Sequence, residues 1–341
     1  MSGTTVGGYE ITRELGRGTF GTVYAAKRGQ GELTYALKKL RLGSSGADQV
    51  LPHLRELKEI QQEARDSEVP ILRLVEFLHQ DDAFWLVTRY CDEGSLSDFL
   101  LLHPETDENQ TVKFMVQISE AVKFLHSNGI VHGGLNMDNM LVTGQFGGFV
   151  RGRTIMNYTI KVSDYGIARM SGEDIFMHYY YRYDTPTRYF TAPEVQEQVY
   201  TKESDVFSMG AIFAAMLDRT TLRIAEHTCI VPFIIPDIPF GQALDTSPDL
   251  NISEVIMKTV ATEDSLKTLI VSMLATDPEF RPTAEFVNER LHAIGNATGA
   301  MAAVFLGIAV AVFGALTGFW PLFLVGLLGG MLAFYLVISS G

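Results

Sequence analysis

The sequence predicts an α+β protein in which strands precede helices and the C-terminal tail is apolar. Three observations predict this arrangement. Short, alternating, β-branched segments recur in the first ninety residues, as over residues 22–27. Amphipathic helical patterns follow, as over residues 110–127. No Asp, Glu, Lys or Arg occurs after Arg290, so every charged side chain of the 341 residues precedes the tail.

Charge and cysteine content narrow the function classes. The net charge of −13 argues against a nucleic-acid partner, because phosphate binding requires clustered Lys and Arg. The two cysteines, Cys91 and Cys229, have no metal-ligand spacing and no disulfide framework, which fits a reducing compartment. The N-terminus lacks the pattern of a signal peptide, so we expect the charged domain to face the cytosol.

A glycine-rich hairpin is predicted near the N-terminus. Residues 9–15 read as a strand, and Gly16, Gly18 and Gly21 follow as G-x-G-x-x-G. This string alone is weak evidence for a nucleotide-binding hairpin, since it also occurs in ordinary turns and before the first helix of dinucleotide-binding folds. Here a second strand follows instead of a helix. Glycines between two antiparallel strands can approach a nucleotide's phosphates closely, because no Cβ intervenes.

A strand over residues 35–38 ends at Lys38, which alone would be read as a solvated surface residue. Placed after the glycine hairpin, it is similar to the Val-Ala-Ile-Lys element of protein kinases, whose lysine grips the α- and β-phosphates. The chain resembles the protein kinase superfamily, of the Ser/Thr type, from about residue 9 to residue 294. The resemblance implies a two-lobed protein kinase fold, with a small β-rich N-lobe (9–91) and a large, mostly helical C-lobe (92–294).

The resemblance also implies an ATP site. In the family, a glutamate on the following helix pairs with the strand lysine. We assign this role to Glu56, with Glu59 as the alternative on the same helix. Thr88 would guard the back pocket, and the hinge would follow it. The residues expected to bind the nucleotide are Gly16, Gly18, Gly21, Val23, Ala36, Lys38, Glu56, Thr88, Tyr90, Cys91 and Leu141.

The catalytic loop departs from the family. Its pattern is His-Arg-Asp-Leu-Lys-x-x-Asn, and His132, Leu135 and Asn139 match it. Three positions differ, with glycine for the arginine, glycine for the aspartate and asparagine for the lysine: Gly133, Gly134 and Asn136. Glycine cannot accept or orient the substrate's hydroxyl proton. We therefore assign no catalytic residue and expect little phosphoryl transfer.

The metal-binding residues of the pattern remain. Asp164-Tyr165-Gly166 is similar to the family's Asp-Phe-Gly element, with Asp164 expected to hold Mg²⁺ and Asn139 a second ion. Carboxylate and amide oxygens suit Mg²⁺. The interval between the two residues is unusually long, and its glycine-rich stretch over 143–159 predicts a surface hairpin.

Three further motifs indicate an intact large lobe. Asp205 begins a segment like the family's central helix, where the aspartate holds the catalytic-loop backbone. Glu194 ends an Ala-Pro-Glu motif and is expected to pair with Arg281. Phosphorylation and simple packing are equally open for the Tyr and Thr residues in between, which are Tyr179, Tyr180, Tyr181, Tyr183, Thr185, Thr187 and Thr191.

The tail, residues 299–340, predicts a membrane segment. Residues 301–338 would reach about 57 Å as one helix, nearly twice a hydrocarbon core of ~30 Å. A break near 317–321 gives two runs of near-spanning length, so we expect a transmembrane helical hairpin and the lipid bilayer as a partner. A single span and a buried helix pair are the alternatives.

Three functions are compatible with the sequence. The first is a membrane-anchored pseudokinase that binds ATP and Mg²⁺ and regulates or scaffolds protein partners. The second is a slow Ser/Thr kinase in which Asp138 or the substrate replaces the missing base. The third is a membrane scaffold that binds no nucleotide.

Overall fold

The computed structural model describes residues 4–18, 20–41, 47–63, 68–150, 153–167, 186–197, 200–224, 227–232, 238–247, 250–260, 262–317, 322, 324–325 and 327–332. The strands are β1 (Thr5–Val6), β2 (Tyr9–Gly18), β3 (Gly21–Arg28), β4 (Thr34–Leu40), β5 (Leu74–Gln80), β6 (Ala83–Arg89), β7 (Met140–Val150), β8 (Arg153–Val162), β9 (Thr221–Ile224) and β10 (His227–Ile230). The helices are α1 (Ala47–Glu63), α2 (Leu96–Leu102), α3 (Glu108–Ser127), α4 (Lys202–Asp218), α5 (Phe240–Thr246), α6 (Ile252–Thr259), α7 (Asp264–Met273) and α8 (Ala284–Thr317).

The N-terminal lobe is a six-stranded antiparallel sheet in the order β1-β2-β3-β4-β6-β5. The predicted glycine hairpin is confirmed, since Gly18 pairs with Gly21 where β2 meets β3. At Gly21 the φ angle is +145°, and a Cβ would lie 1.9 Å from the Lys39 carbonyl oxygen, so only glycine fits. Alternation along β4 buries Leu37 on one face and leaves Lys38 on the other.

Helix α1 packs beside this sheet and turns an apolar face toward the core. Leu54 and Leu57 are buried on that face, and Gln61, one turn after Leu57, is buried with them. Glu56 and Glu59 are exposed. The helix therefore presents a leucine and an amide, rather than a carboxylate, to the interior.

The C-terminal lobe is mostly helical and is built around α4. Every residue of α4 from Ser204 to Met216 is buried, as expected of a helix enclosed on all sides. Its start is fixed by a capping box between Thr201 and Ser204. Helix α3 packs beside it through a stripe at helical spacing: Phe114, Ile118, Ala121, Val122 and Leu125.

The surface hairpin predicted between the two metal-binding positions is confirmed as β7 and β8. Thr143 pairs with Thr159, and Met140 pairs with Val162 at the base of the ladder. Because the hairpin folds back on itself, Asn139 and Asp164 lie together despite the residues between them. Phe146 and Phe149 are exposed near its far end.

The tail requires a correction. Within the described part of the chain, no helix is long and apolar enough to cross a membrane. The predicted membrane localisation is therefore wrong, and the bilayer has no support as a partner. Residues 301–317, the first part of the predicted membrane segment, continue α8, which begins in the domain with Val287 and Leu291 buried. Helix α8 ends at Thr317, and the rest of the predicted break, 318–321, lies outside the described residues.

Candidate functional site

Two adjoining cavities lie between the sheet and the helical lobe. The inner cavity, about 430 Å³, is lined by Gly16, Val23, Ala36, Lys38, Thr88, Tyr90, Cys91, Leu141 and Asp164. The outer cavity, about 580 Å³, shares several of these and adds Gly18, Gly21, Asn136 and Asn139. The structure thus brings every residue predicted for the nucleotide and metal site to one cleft, except Glu56.

At the centre of the cleft, Lys38 contacts Asp164, with 2.5 Å between Nζ and Oδ2. The two side chains are only 13% and 24% exposed, so each charge has its counterion at hand in a partly dry site. The sequence predicted Glu56 as the partner of Lys38. That pair is not formed among the described contacts, because the rotation of α1 places Glu56 outward and Leu57 inward.

The backbone before Asp164 is anchored to the catalytic loop. The Ser163 amide and hydroxyl both donate to the Asn139 carbonyl oxygen, each at 2.9 Å. The His132 Nε2 lies 2.9 Å from the Ser163 carbonyl oxygen. Burial lowers the pKa of His132, so the ring is neutral and this nitrogen donates. Asp164 itself has φ +64°, a left-handed conformation that Asp tolerates better than most residues.

Asparagine side chains brace the catalytic loop. Asn136 Oδ1 accepts from the backbone amides of Asp138 and Asn139, at 2.8 and 3.2 Å. Asn139 Oδ1 accepts from the Asn136 amide at 3.1 Å, and its Nδ2 donates to the Gly134 carbonyl oxygen at 2.7 Å. Asn136 Nδ2 also donates to the Thr187 hydroxyl at 2.9 Å. The loop therefore keeps a defined shape without its usual charged residues.

The oxygens present fit a magnesium ion. Asp164 supplies a carboxylate, and Asn139 Oδ1 accepts one hydrogen bond and has a second lone pair. The described residues contain no group of three or more His, Cys, Asp or Glu side chains that could hold a metal. Mg²⁺ usually takes one or two protein oxygens together with phosphates and water, so the pair is sufficient.

At the catalytic position itself there is space but no functional group. A Cβ on Gly134 would lie 3.9 Å from the Phe20 ring, an ordinary contact. Gly133 has φ +74°. Its amide and that of His132 donate to the Asp205 carboxylate at 2.9 and 2.7 Å, which confirms the predicted role of Asp205.

Asp138 is the carboxyl of the loop that faces both cavities. Crowding by protein atoms, then the nearby Asp98 carboxylate, raises the pKa of Asp138 to about 6, while His227 opposes the shift. The residue is nevertheless exposed, because its free surface opens into the cleft. A carboxyl with this pKa exchanges protons near neutral pH.

The lower lobe carries the predicted buried ion pair. Arg281 holds Glu194 with both terminal nitrogens, at 2.5 and 2.9 Å. Of the seven Tyr and Thr residues considered for phosphorylation, five lie outside the described residues. Thr187 and Thr191 are described, and the Thr191 hydroxyl donates to the Thr187 carbonyl oxygen at 2.9 Å.

Sequence reasoning missed one element of the site. Gln61 and Tyr165 both line the inner cavity and are hydrogen-bonded to each other at 2.5 Å. A polar residue at an inward-facing position of α1, together with a tyrosine where the family has phenylalanine, was the available signal.

Comparison with known proteins gives a consistent result. Residues 9–291 match the family model described as protein kinase domain. Probable serine/threonine-protein kinase zyg-1 of Caenorhabditis elegans is 30% identical over 223 residues, covering 63% of this chain and 28% of that protein. Serine/threonine-protein kinase 33 of Bos taurus is 26% identical over 293 residues, covering 84% of this chain and 55% of that protein. The chain thus spans between about a quarter and just over half of these relatives' length.

Proposed function

We propose that this chain, which belongs to the protein kinase family, is a pseudokinase. It binds Mg-ATP in the cleft and acts as a regulatory or scaffolding signalling protein, with phosphoryl transfer absent or very weak. We assign the kinase-like domain to residues 9–294, divided into lobes after residue 91. The observation that carries the proposal is Gly134, a glycine at the position of the catalytic aspartate.

Nucleotide binding is supported by the cleft. The glycine hairpin, Lys38, Asn139 and Asp164 all line it. Lys38 and Asp164 form an ion pair in the cleft. With nucleotide bound, Lys38 would contact phosphate oxygens and Asp164 would hold the ion. Magnesium would supply positive charge that neutralises the phosphates.

Weak transfer is supported by the missing groups. Assistance by a general base contributes about 10²–10⁴-fold, so its loss raises the barrier by roughly 3–5 kcal/mol. Asn136 carries no charge to offset that of a transferred phosphoryl group. Its amide is also occupied by the Gly134 carbonyl and the Thr187 hydroxyl.

The test is transfer of labelled γ-phosphate from ATP by the full chain, beside Lys38→Ala and Gly134→Asp. We expect the parent to be no more active than Lys38→Ala. At Gly134 a Cβ makes only an ordinary contact with Phe20, and any transfer that Gly134→Asp gains would show that the rest of the cleft is competent. Label that depends on Lys38 in the parent would end the pseudokinase proposal.

Binding is measured separately by thermal unfolding with Mg-ATP. At about 100-fold above Kd, ligand should stabilise the chain by about 2.7 kcal/mol. No stabilisation at any ATP concentration would instead favour a scaffold that binds no nucleotide.

One observation favours a second candidate, a slow Ser/Thr kinase that uses Asp138 as the base. Asp138 faces both cavities, and its raised pKa, about 6, is suited to accepting a proton. In that case, transfer would rise as pH increases through about 6 and would be lost in Asp138→Asn. A flat pH profile, or full activity in Asp138→Asn, would exclude this role.

A further inference from the structure

A buried hydrogen-bond network connects α1 to the segment that carries Asp164. Gln61 Nε2 donates to the Tyr165 hydroxyl at 2.5 Å, and Gln61 Oε1 accepts from the Leu74 amide at 2.8 Å. The Tyr165 hydroxyl donates in turn to the Leu72 carbonyl oxygen at 2.9 Å. Gln61 and Tyr165 are each only 4% exposed.

Asp164 therefore lies between two anchors. On one side, Ser163 is tied to the Asn139 carbonyl oxygen. On the other side, the ring of Tyr165 is tied to Gln61 and to Leu72. A residue at φ +64° needs neighbours that hold it there, because this conformation is sparsely populated for residues other than glycine.

We infer that Gln61 and Tyr165 are positioning residues for the Asp164 carboxylate, so that α1 controls the metal-binding geometry through an amide–phenol hydrogen bond. Glu56 is exposed, so the usual charged link from this helix is not formed. Leu57 contributes packing only, against Gly166, where a Cβ would lie 3.0 Å from a Leu57 methyl group. The inference rests on the proposed Mg-ATP binding.

The chemistry of the pair predicts how its variants behave. Tyr165→Phe leaves the buried amide of Gln61 short of a partner, and a buried polar group without a partner is costly. Gln61→Leu withdraws a partner from Tyr165 and from the Leu74 amide. When one partner of the hydrogen bond has been replaced, replacing the other removes little further interaction. The effects of the two substitutions should therefore not multiply.

The first measurement is hydrogen exchange of the peptide over residues 163–167 in the nucleotide-free full chain. We expect exchange to be about tenfold faster than in the parent in Tyr165→Phe and in Gln61→Leu. In the double variant we also expect about tenfold over the parent, rather than a hundredfold. Exchange of α3 should stay unchanged. Tyr9→Phe is the matched control, because Tyr9 is also buried and its hydroxyl donates to Glu76 at 2.7 Å, in the other core.

The second measurement compares ADP affinity with Mg²⁺ and with EDTA. Tyr165→Phe should lower the gain from Mg²⁺ about tenfold and change the metal-free affinity less than twofold, a split that general destabilisation would not produce. Unchanged exchange in both single variants, multiplying effects, or a full Mg²⁺ gain in Tyr165→Phe would overturn the inference. If the parent binds no nucleotide, the proposed function fails, and the exchange result still decides the link.

Discussion

The strand wall of the cleft and the catalytic loop below it are both held by defined contacts but carry different side chains. Along the wall, Lys38 faces Asp164, with 2.5 Å between Nζ and Oδ2. In the loop, Asp205 accepts hydrogen bonds from the backbone amides of His132 and Gly133, yet glycine occupies positions 133 and 134. Structural support and catalytic chemistry are therefore separable in this fold.

The difference between the two regions lies in which side chains of the family pattern are present. Residues that shape the lobe, such as Asp205, Glu194 and Arg281, have the contacts expected of an intact kinase domain. At positions 133, 134 and 136 the arginine, aspartate and lysine of the family pattern are replaced by Gly133, Gly134 and Asn136. A chain that needs a defined surface or a bound nucleotide, but no turnover, would require only the first set.

The largest expected effect concerns structural support. Arg281→Met would leave the Glu194 carboxylate buried without its partner, and would also remove hydrogen bonds to three backbone carbonyls, those of Ala275, Thr276 and Glu203. Breaking a buried pair from one side costs about 3–5 kcal/mol. Urea unfolding should show a loss of that size.

The control for that variant is Lys258→Met. Lys258 pairs with Glu254 on the exposed face of α6, and both side chains are more than half exposed. Exposed pairs contribute little, so the change should stay within about 0.5 kcal/mol. Equal losses in the two variants would mean that the buried pair has no special role in the lobe.

An intermediate effect is expected at the wall of the cleft. Lys38→Ala removes the positive group that would contact phosphate, and hydrogen bonds to charged groups contribute about 1.5–3 kcal/mol. Mg-ATP affinity, measured by calorimetry, should fall about tenfold or more. Lys39→Ala is the matched control, because Lys39 lies on the other face of β4, over the Trp85 ring. If both variants bind alike, the cleft is not the nucleotide site.

The smallest effect is expected in the loop, at Asp138. Its pKa, raised to about 6 by crowding and by Asp98, means that the folded chain binds this proton more tightly than the unfolded chain does. Ionisation therefore costs stability, and stability should decline as pH rises from about 4 to 6. Because the carboxyl faces the hydrated cleft, we expect Asp138→Asn to stabilise the chain by only roughly 1 kcal/mol above pH 6.

At about pH 3 and below, the carboxyl is largely protonated in both the folded and the unfolded state, so Asp138→Asn and the parent should unfold alike there. Thermal unfolding across this pH range checks the prediction. A stabilisation that does not depend on pH would point to packing rather than to the charge of Asp138.

The glycine hairpin of the first lobe and most of the cleft were predictable because short contiguous motifs carry them. Lys38 ends a strand that follows a glycine hairpin, and Asp164 begins a three-residue turn motif. The inward face of α1 was not predictable in the same way. Adjacent residues on a helix point about 100° apart, so a rotation of that size decides whether Glu56 or Leu57 faces the core.

The C-terminal tail is a second region in which the sequence pattern did not determine the structure. Composition predicted an apolar segment from residue 299, and the absence of charge after Arg290 is a fact of the sequence. Whether such residues form a separate unit depends on where the preceding helix ends. Here α8 continues from the domain to Thr317, and its first turns bury Val287 and Leu291 against the lobe.

By itself the sequence determined the α+β class, the kinase-like order of motifs and the loss of the catalytic aspartate at Gly134, because each of these is written in neighbouring residues. Only the tertiary structure decided that Lys38 meets Asp164 rather than Glu56, and that Gln61 meets Tyr165 across 104 positions of chain. Such contacts depend on the rotation of a helix and on the packing of one lobe against the other, and local residue patterns do not specify either.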